Sequence, residues 1–176
     1  YGACASADGG QSWTALAAPA DRTYSAVAAD PTRAGVLLLA ESGHDVYRSA
    51  NGGAGWTRTQ GGLLCVPQQP GVAEYLSFAF ERTGSTRAWA LSPTDGLRVS
   101  DDGGLTWTRR ATGMTDARLN SVAVDPTDEW TVLVADARGA LLKTTNAGAT
   151  WTELAASFAS GCTASPQPRR TNPRDA

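Results

Sequence analysis

The sequence predicts an all-β protein built from repeated units of four antiparallel strands, and three observations support this fold class. A turn motif with the pattern Ser/Thr-x-Asp/Asn-x-Gly-x-Ser/Thr-Trp occurs four times, at residues 6–13, 49–56, 100–107 and 144–151. Successive motifs begin 43, 51 and 44 residues apart, which leaves room for four short strands in each unit. The segments between them are short apolar runs separated by Gly, Pro and Asp, as expected of strands joined by tight turns.

Each turn motif predicts a hairpin whose residues are all explained by turn chemistry. The Asp or Asn accepts hydrogen bonds from backbone N–H groups further along the turn, and Gly supplies a positive φ. The hydroxyl residues add side-chain to backbone bonds, and Trp is the first large apolar group of the returning strand. The acidic spacing and closing Glu of a calcium loop are missing, so we expect no metal. The structural residues of the motifs are Asp8, Trp13, Asn51, Trp56, Asp102, Trp107, Asn146 and Trp151.

Three successive units show the same order of predicted strands. In two of them the first strand ends in Asp-Pro, at Asp30 and Asp125, and Pro presets φ for the reversal into the second strand. Residues 1–6 correspond to a third strand, so the chain is expected to start in the middle of a unit. The predicted strands of the three full units are 25–30, 35–40, 45–49 and 56–59, then 75–81, 87–92, 97–100 and 107–110, then 119–125, 131–135, 141–145 and 151–154.

The apolar strands favour units stacked face to face around an axis, which is a β-propeller. Residues 36–40 and 132–135 are apolar without alternation, so both faces of each sheet must be covered. A two-layer sandwich, with more regular alternation, is the alternative. The predicted propeller segment is 1–156, followed by a disordered tail at 157–176. It comprises a half blade at 1–17 and blades at about 22–60, 72–111 and 117–155.

The composition of the chain limits the kinds of partner that it is expected to bind. Net charge is −2, with scattered Arg and a single Lys, so no nucleic-acid partner is expected. No apolar run is long enough for a membrane span.

Cys4, Cys65 and Cys162 form no zinc pattern; Cys4 and Cys162 could pair in an oxidising compartment, or all three could be buried thiols. Since propellers have four to eight blades, the remaining blades are expected from the same longer chain or from a second chain.

The turn motif resembles the Asp box of the bacterial neuraminidase repeat superfamily. Its spacing and the Val-Ala-x-Asp-Pro signature resemble xyloglucanase-type and sortilin-like repeats most. The resemblance implies a propeller with each box between strands three and four, away from the usual binding face, in an exported, cell-surface or periplasmic protein. Departures from the pattern are Gly55 in place of a hydroxyl residue, Asn51 and Asn146 in place of Asp, and Ala147 at a frequent Gly position.

Two functions follow from this resemblance. The first is a non-catalytic propeller or scaffold that binds a carbohydrate or protein through loops opposite the boxes. The second is a segment of a glycoside hydrolase, xyloglucanase-like in preference to sialidase-like because no Arg-Ile-Pro precedes the first box. Such an enzyme needs two carboxylates across the glycosidic bond. Neither function requires a cofactor.

The candidate site residues lie in the loops that a propeller places opposite its boxes. Asp21, Glu74 and Asp116 fall at equivalent positions in successive units and are the catalytic candidates. A solvated loop charge is the alternative role for each of them. Trp89 and Trp130 are the tryptophans outside the motifs; burial is expected for Trp89, whereas an exposed Trp130 could stack on a sugar ring. The binding candidates are Arg22, His44, Asp45, Tyr75, Arg118 and Arg138, with Glu41, Asp95 and Asp136 as further polar loop residues.

Overall fold

The computed structural model describes residues 2–42, 45–59, 77–82, 84–92, 96–114 and 119–155, which contain strands and no helix. No helix in this part of the chain is therefore available to cross a membrane. The strands are β1 (Cys4–Ala5), β2 (Thr14–Ala15), β3 (Tyr24–Ala29), β4 (Leu37–Glu41), β5 (Val46–Ser49), β6 (Thr57–Arg58), β7 (Ser77–Phe80), β8 (Ala88–Ser92), β9 (Gly96–Ser100), β10 (Thr108–Arg109), β11 (Leu119–Val124), β12 (Val132–Asp136), β13 (Leu141–Thr144) and β14 (Thr152–Ala155).

These strands form four separate antiparallel sheets that follow the chain order. Strands β1 and β2 pair as half blade A, β3–β6 form blade B, β7–β10 form blade C and β11–β14 form blade D. Strand β3 contacts β7, and β7 contacts β11, so the first strand of each full blade lies innermost. The fold is the predicted partial β-propeller, and the two-layer sandwich is wrong.

The four Asp boxes close the hairpins between the third and fourth strands, as the sequence predicted. In every box the hydroxyl oxygen at the first position accepts the backbone N–H of the Gly at the fifth position. The distance is 2.7 Å between Ser6 and Gly10 and 2.9 Å between Thr144 and Gly148. The Asp or Asn oxygen accepts a backbone N–H four residues on, at 2.9 Å in each box. One set of hydrogen bonds therefore builds all four hairpins.

The departures from the box pattern are accommodated without a change of geometry. Asn146 Nδ2 donates to Thr150 Oγ1 at 2.8 Å, where Asp102 Oδ2 instead accepts from Thr106 Oγ1 at 2.6 Å. Ala147 adopts a positive φ of 52°, which non-Gly residues rarely do. The interpretation of the boxes as structural turns is therefore supported in each hairpin.

Asp-Pro turns connect the first and second strands of blades B and D. Thr32 N donates to Asp30 Oδ1 at 2.8 Å, and Thr127 N donates to Asp125 Oδ1 at 2.8 Å. This confirms the predicted turn chemistry. Blade C has the buried Glu81 at the equivalent position.

The hydrophobic core lies between blades. One cluster joins blades B and C through residues such as Leu38, Ala90 and Trp107. A larger cluster joins blades C and D, with Trp89 and Trp151 in edge-to-face contact at 6.3 Å between ring centroids. Trp89 is completely buried, as predicted.

Strand β8 is covered on both faces because blade C lies between blades B and D. In strand β12 of blade D, Val132 and Val134 are buried but Leu133 and Ala135 are half-buried, so the expected cover of both faces is incomplete there.

Half blade A is covered much less. Its box tryptophan, Trp13, is 65% exposed, whereas Trp107 and Trp151 are 2% and 6% exposed. Cys4 is exposed and carries a free thiol, so the prediction of a buried thiol is wrong for this residue, which lies on the sparsely covered half blade. Cys65, Cys162 and the predicted tail lie outside the described residues.

Candidate ligand-binding face

The face opposite the boxes is formed by the β4–β5 and β12–β13 turns and by the connection from β2 to β3. Antiparallel pairing puts these connections at the other end of each blade from the boxes. Among the predicted site residues, Asp21, Arg22, Asp45 and Arg138 are described. The others, which are Glu74, His44, Tyr75, Asp116 and Arg118, lie outside the described residues.

A buried ion pair occupies this end of blade B. Glu41 ends strand β4 and is buried, while Arg22 reaches it from the β2–β3 connection and remains partly exposed. Arg22 Nη1 donates to both Glu41 carboxylate oxygens at 2.7 Å. Tyr47 O–H donates to Glu41 Oε2 at 3.2 Å. The carboxylate is thus held by a guanidinium and a phenol.

The electrostatics keep these groups in their ordinary charge states. The hydrogen bond to Glu41 raises the pKa of Arg22. Burial first, and the Glu41 charge second, raise the pKa of Tyr47 and of Tyr24. Both phenols are consequently neutral hydrogen-bond donors near neutral pH. The Tyr24 O–H donates to the Pro19 carbonyl oxygen at 2.7 Å.

A second ion pair flanks the first. Asp45, which follows Glu41 across the β4–β5 turn, lies 2.6 Å from the Nη2 atom of Arg58 on the outermost strand of blade B. Arg58 is exposed and Asp45 is half-buried. The two pairs place the guanidinium groups of Arg22 and Arg58 at the surface of one blade.

Asp136 and Arg138 form the corresponding turn of blade D. The buried Asp136 accepts the N–H groups of Arg138 and Ala140, each at 2.9 Å, and the Arg138 Nη2 at 2.7 Å. Burial alone would raise the pKa of Asp136, but these hydrogen bonds and the guanidinium outweigh it and lower the pKa. Asp136 therefore closes a turn while Arg138 extends into solvent.

Asp21 is the described member of the three catalytic candidates. It is exposed in the β2–β3 connection with a φ of 59°, a left-handed conformation that Asp tolerates better than most residues. This fits a turn residue. Asp21 directly precedes Arg22 in the chain. Glu74 and Asp116, with which Asp21 was predicted to converge, lie outside the described residues.

Tyr47, which donates to Glu41 Oε2 at 3.2 Å, was not among the predicted site residues. It lies within the predicted strand 45–49. A signal was present, because a Tyr in an apolar strand needs a partner for its O–H group and Glu41 is the nearest charged strand end. Across the described residues, no cluster of three or more His, Cys, Asp or Glu side chains could hold a metal ion.

Comparison with known proteins agrees with this architecture. A BNR/Asp-box repeat model matches residues 98–109, which include the third box. The GH74 enzyme of Niastella koreensis is 28% identical with a TM-score of 0.64, over 85% of this chain and 21% of that one. The GH74 xyloglucanase from Xanthomonas campestris is 24% identical with a TM-score of 0.58, over 75% and 23%. YCF48 from Cyanidioschyzon merolae is 19% identical with a TM-score of 0.57, over 77% and 38%.

A comparison with curated proteins found no match. The fold, the four boxes and the repeat match together define a partial β-propeller with Asp-box hairpins, whose described residues form three four-stranded blades and a half blade. Its blades are similar to those of GH74 enzymes. The chain spans about a fifth of the length of the first GH74 enzyme.

Proposed function

We propose that this propeller segment is an exported scaffold that binds a neutral polysaccharide, without cleaving it, through the loops opposite its Asp boxes. The observation that carries the proposal is the state of three described carboxylates on that face. Glu41, Asp45 and Asp136 are each paired with an arginine. The 28% identity with a GH74 enzyme supports a carbohydrate as the ligand class.

The paired carboxylates are poorly suited to acid–base catalysis. A glycosidase needs a carboxylic acid whose pKa is raised, so that it can protonate the leaving group near neutral pH. Asp136 has the opposite shift. Glu41 is held on both oxygens by Arg22, and removing a partner from a buried pair is strongly unfavourable.

The arginines are well suited to binding. Arg22 and Arg138 are partly exposed, and their paired carboxylates fix the direction of each guanidinium. Arg22 donates to Glu41 through its Nη1 alone, and a guanidinium carries five N–H groups, so donors remain on Arg22 for sugar hydroxyls. A preoriented donor loses less conformational entropy on binding than a free side chain.

The second candidate is a segment of a glycoside hydrolase. The observation that favours it is the structural similarity to a GH74 enzyme over most of this chain, at a TM-score of 0.64. Glu74 and Asp116 would then be the paired carboxylates, and the remainder of the active site would come from outside this segment.

The test is a binding titration with a chemical assay run on the same samples. We expect the 176-residue chain to be retarded in affinity electrophoresis by soluble xyloglucan or another neutral glucan, with no release of reducing ends. Arg138→Ala should weaken retardation about tenfold, while Asp136 keeps its two backbone donors. The matched control is Arg109→Ala, which removes an exposed arginine from β10.

The outcomes separate the two functions. Release of reducing ends that Glu74→Gln or Asp116→Asn abolishes would establish the hydrolase. Equal retardation of Arg138→Ala and wild type would place the ligand elsewhere. Retention by protein partners and by no glycan would replace the carbohydrate with a protein ligand, and surface labelling of the source cells with an antibody tests export.

A further inference from the structure

An exposed tryptophan stands on the box side of the propeller, where blades C and D meet. Trp130 lies in the turn between β11 and β12 and is 50% exposed. Its carbonyl oxygen accepts the N–H of Ala147, in the blade D box, at 3.0 Å. This contact puts the indole beside the boxes, on the side of the blades away from the arginine-rich loops described above.

The position of Trp130 is fixed at three points. Besides the bond to Ala147, the backbone N–H of Trp130 donates to Asp128 Oδ1 at 3.0 Å. The Arg87 guanidinium lies over one face of the ring, 5.5 Å from its centroid, which is within cation–π range. One face of the indole is therefore engaged within the protein while the side chain remains half exposed.

Arg87 connects this ring to two further polar side chains, Asp101 and Arg110. Arg87 Nε donates to Asp101 Oδ1 at 2.7 Å, and Arg110 Nη2 lies 3.5 Å from Asp101 Oδ2. Asp101 is itself exposed over 54% of its side chain. Arg110 is anchored by its Nη1, which donates to the Ala147 carbonyl at 3.1 Å. A carboxylate acceptor between two guanidinium donors thus adjoins an aromatic platform.

We propose that Trp130, Arg87, Asp101 and Arg110 form a carbohydrate-binding site on the box side. The apolar face of a pyranose ring would stack on the open face of Trp130, because its polarised C–H groups meet the negative face of the indole. Hydroxyls that extend past the edge of the indole, from this sugar or from the next unit, would donate to Asp101 and accept from Arg110. Charge-assisted bonds of this kind are stronger than neutral ones.

The charges favour a neutral sugar over other ligands. A nucleic acid could also stack on Trp130, but the charges of Arg87 and Arg110 are offset by those of Asp101 and Asp128, which leaves no excess positive charge for its phosphates. A polyhydroxylated neutral ligand uses the donors and the acceptor together.

The site is separate from the face assigned under Proposed function, so either can fail alone. We would follow the indole N–H resonances of labelled protein during titration with cellohexaose, xylohexaose and laminarihexaose. The Trp130 resonance is identified by Trp130→Phe. Saturable movement of this resonance by at least one hexasaccharide is expected, in wild type and in Arg138→Ala alike.

The matched control is Trp13, which is even more exposed but forms its indole hydrogen bond within its own box. In calorimetric titrations in the Arg138→Ala background, we expect Trp130→Ala to lower the affinity for the hexasaccharide about tenfold and Trp13→Ala to leave it unchanged. Because Trp130 also covers Arg87, thermal unfolding of each variant is measured. Asp101→Asn, which keeps an acceptor oxygen, should weaken binding less than Asp101→Ala.

Three results would overturn the inference. The first is a Trp130 resonance that no hexasaccharide moves. The second is loss of affinity in Trp13→Ala equal to that in Trp130→Ala. The third is movement of the Trp130 resonance with protein concentration alone, which would make the platform a contact between two copies of the chain.

Discussion

At the scale of single residues, each box depends on one carboxylate or amide that satisfies the turn. Hydrogen bonds, led by that from the Ser12 hydroxyl, hold the pKa of Asp8 well below its usual range. Burial alone would raise the pKa of Asp102, but hydrogen bonds from Thr106, Ser100 and Leu105 outweigh it and lower the pKa to about 2. Asn146 makes equivalent bonds without a charge.

Replacing Asp102 by Asn should remove an acid-sensitive contribution to stability. The folded pKa of about 2 lies below the ordinary value of 3.8. The stabilisation is therefore present above pH 3.8 and is lost as the pH falls towards 2. We expect Asp102→Asn to fold and to lose less stability than wild type over that interval, measured by urea unfolding at each pH.

The reciprocal control is Asn146→Asp, which creates a carboxylate in the blade D box. It should make unfolding more sensitive to acid, since Thr150 can serve it as Thr106 serves Asp102. Identical acid sensitivity in wild type and both variants would show that the boxes do not contribute to acid unfolding.

Glu81 should show the opposite pH dependence. It is buried, and burial raises its pKa above the ordinary 4.5 despite bonds from Arg87 and Trp89. A raised pKa gives a contribution that is present below pH 4.5 and is lost as the pH rises through the folded pKa. The free energy of unfolding of wild type should therefore fall relative to that of Glu81→Gln as the pH rises from 4.5.

Urea unfolding from acid to neutral pH would measure this difference, with the exposed Glu153→Gln as control. A wild-type curve parallel to that of Glu81→Gln would contradict the assignment.

Contacts between residues close in sequence could be predicted, whereas contacts between distant residues could not. The box residues could be predicted because each acts within four positions of its partner. Arg22 was expected to bind a ligand, yet its carboxylate partner Glu41 lies 19 positions away. Such pairing depends on how β3 and β4 bring their ends together, and a local pattern does not contain it.

At the scale of elements, the second glycine of a box makes room for a side chain from the preceding blade. A Cβ on Gly104 would lie 2.5 Å from Leu38 Cδ2 of blade B, and one on Gly148 would lie 2.9 Å from Trp89 of blade C. Both glycines also have positive φ, at 91° and 78°. The turn of the hairpin and the packing between blades therefore both require glycine at this position.

Gly104→Ala should consequently destabilise the protein more than alanine at a box glycine with open space. The positive φ alone costs about 1–3 kcal/mol, and the clash with Leu38 adds to it. Gly9→Ala is the matched control, because Gly9 has φ 72° and nothing within 4 Å of the added Cβ. Chemical denaturation should give a larger loss for Gly104→Ala, and equal losses would refute the role in blade packing.

The elements themselves were largely predictable. Predicted strands 87–92 and 119–125 correspond to Ala88–Ser92 and Leu119–Val124, because their apolar runs end at Gly, Pro or Asp turns. The innermost strand of blade C was predicted over residues 75–81, and its described part runs from Ser77 to Phe80; residues 75 and 76 lie outside the described residues.

At the scale of the whole molecule, stability comes from interfaces between blades. The cluster between blades C and D contains Trp89, Trp151 and apolar residues of five strands, β8, β9, β11, β12 and β13. No buried cluster of comparable size joins half blade A to blade B in the described part of the chain. Leu16 packs on Gly53 there, and Ala17 N donates to the Gly53 carbonyl at 3.1 Å.

The repeat predicted the propeller, but it did not predict this unequal burial of its tryptophans. Trp13 and Trp107 occupy the same position of the same motif, yet their exposures are 65% and 2%. The difference arises from the neighbouring blade, which the motif does not encode. The same holds for Trp130, whose partner Arg87 is on another blade.

Truncation of Trp89 should therefore weaken the whole molecule, while truncation of Trp13 should not. Trp89→Ala leaves a cavity between blades C and D and removes an indole donor from the buried Glu81. We expect a loss of about 3–5 kcal/mol, measured by urea unfolding followed by circular dichroism. Trp13→Ala, at an exposed site, should change the free energy of unfolding by about 0.5 kcal/mol or less. Hydrogen exchange adds a spatial readout, since loosening of this interface should raise exchange in β11–β14 before β3–β6. If Trp13→Ala were as destabilising as Trp89→Ala, or exchange rose first in blade B, the interface between blades C and D would not be the main source of stability.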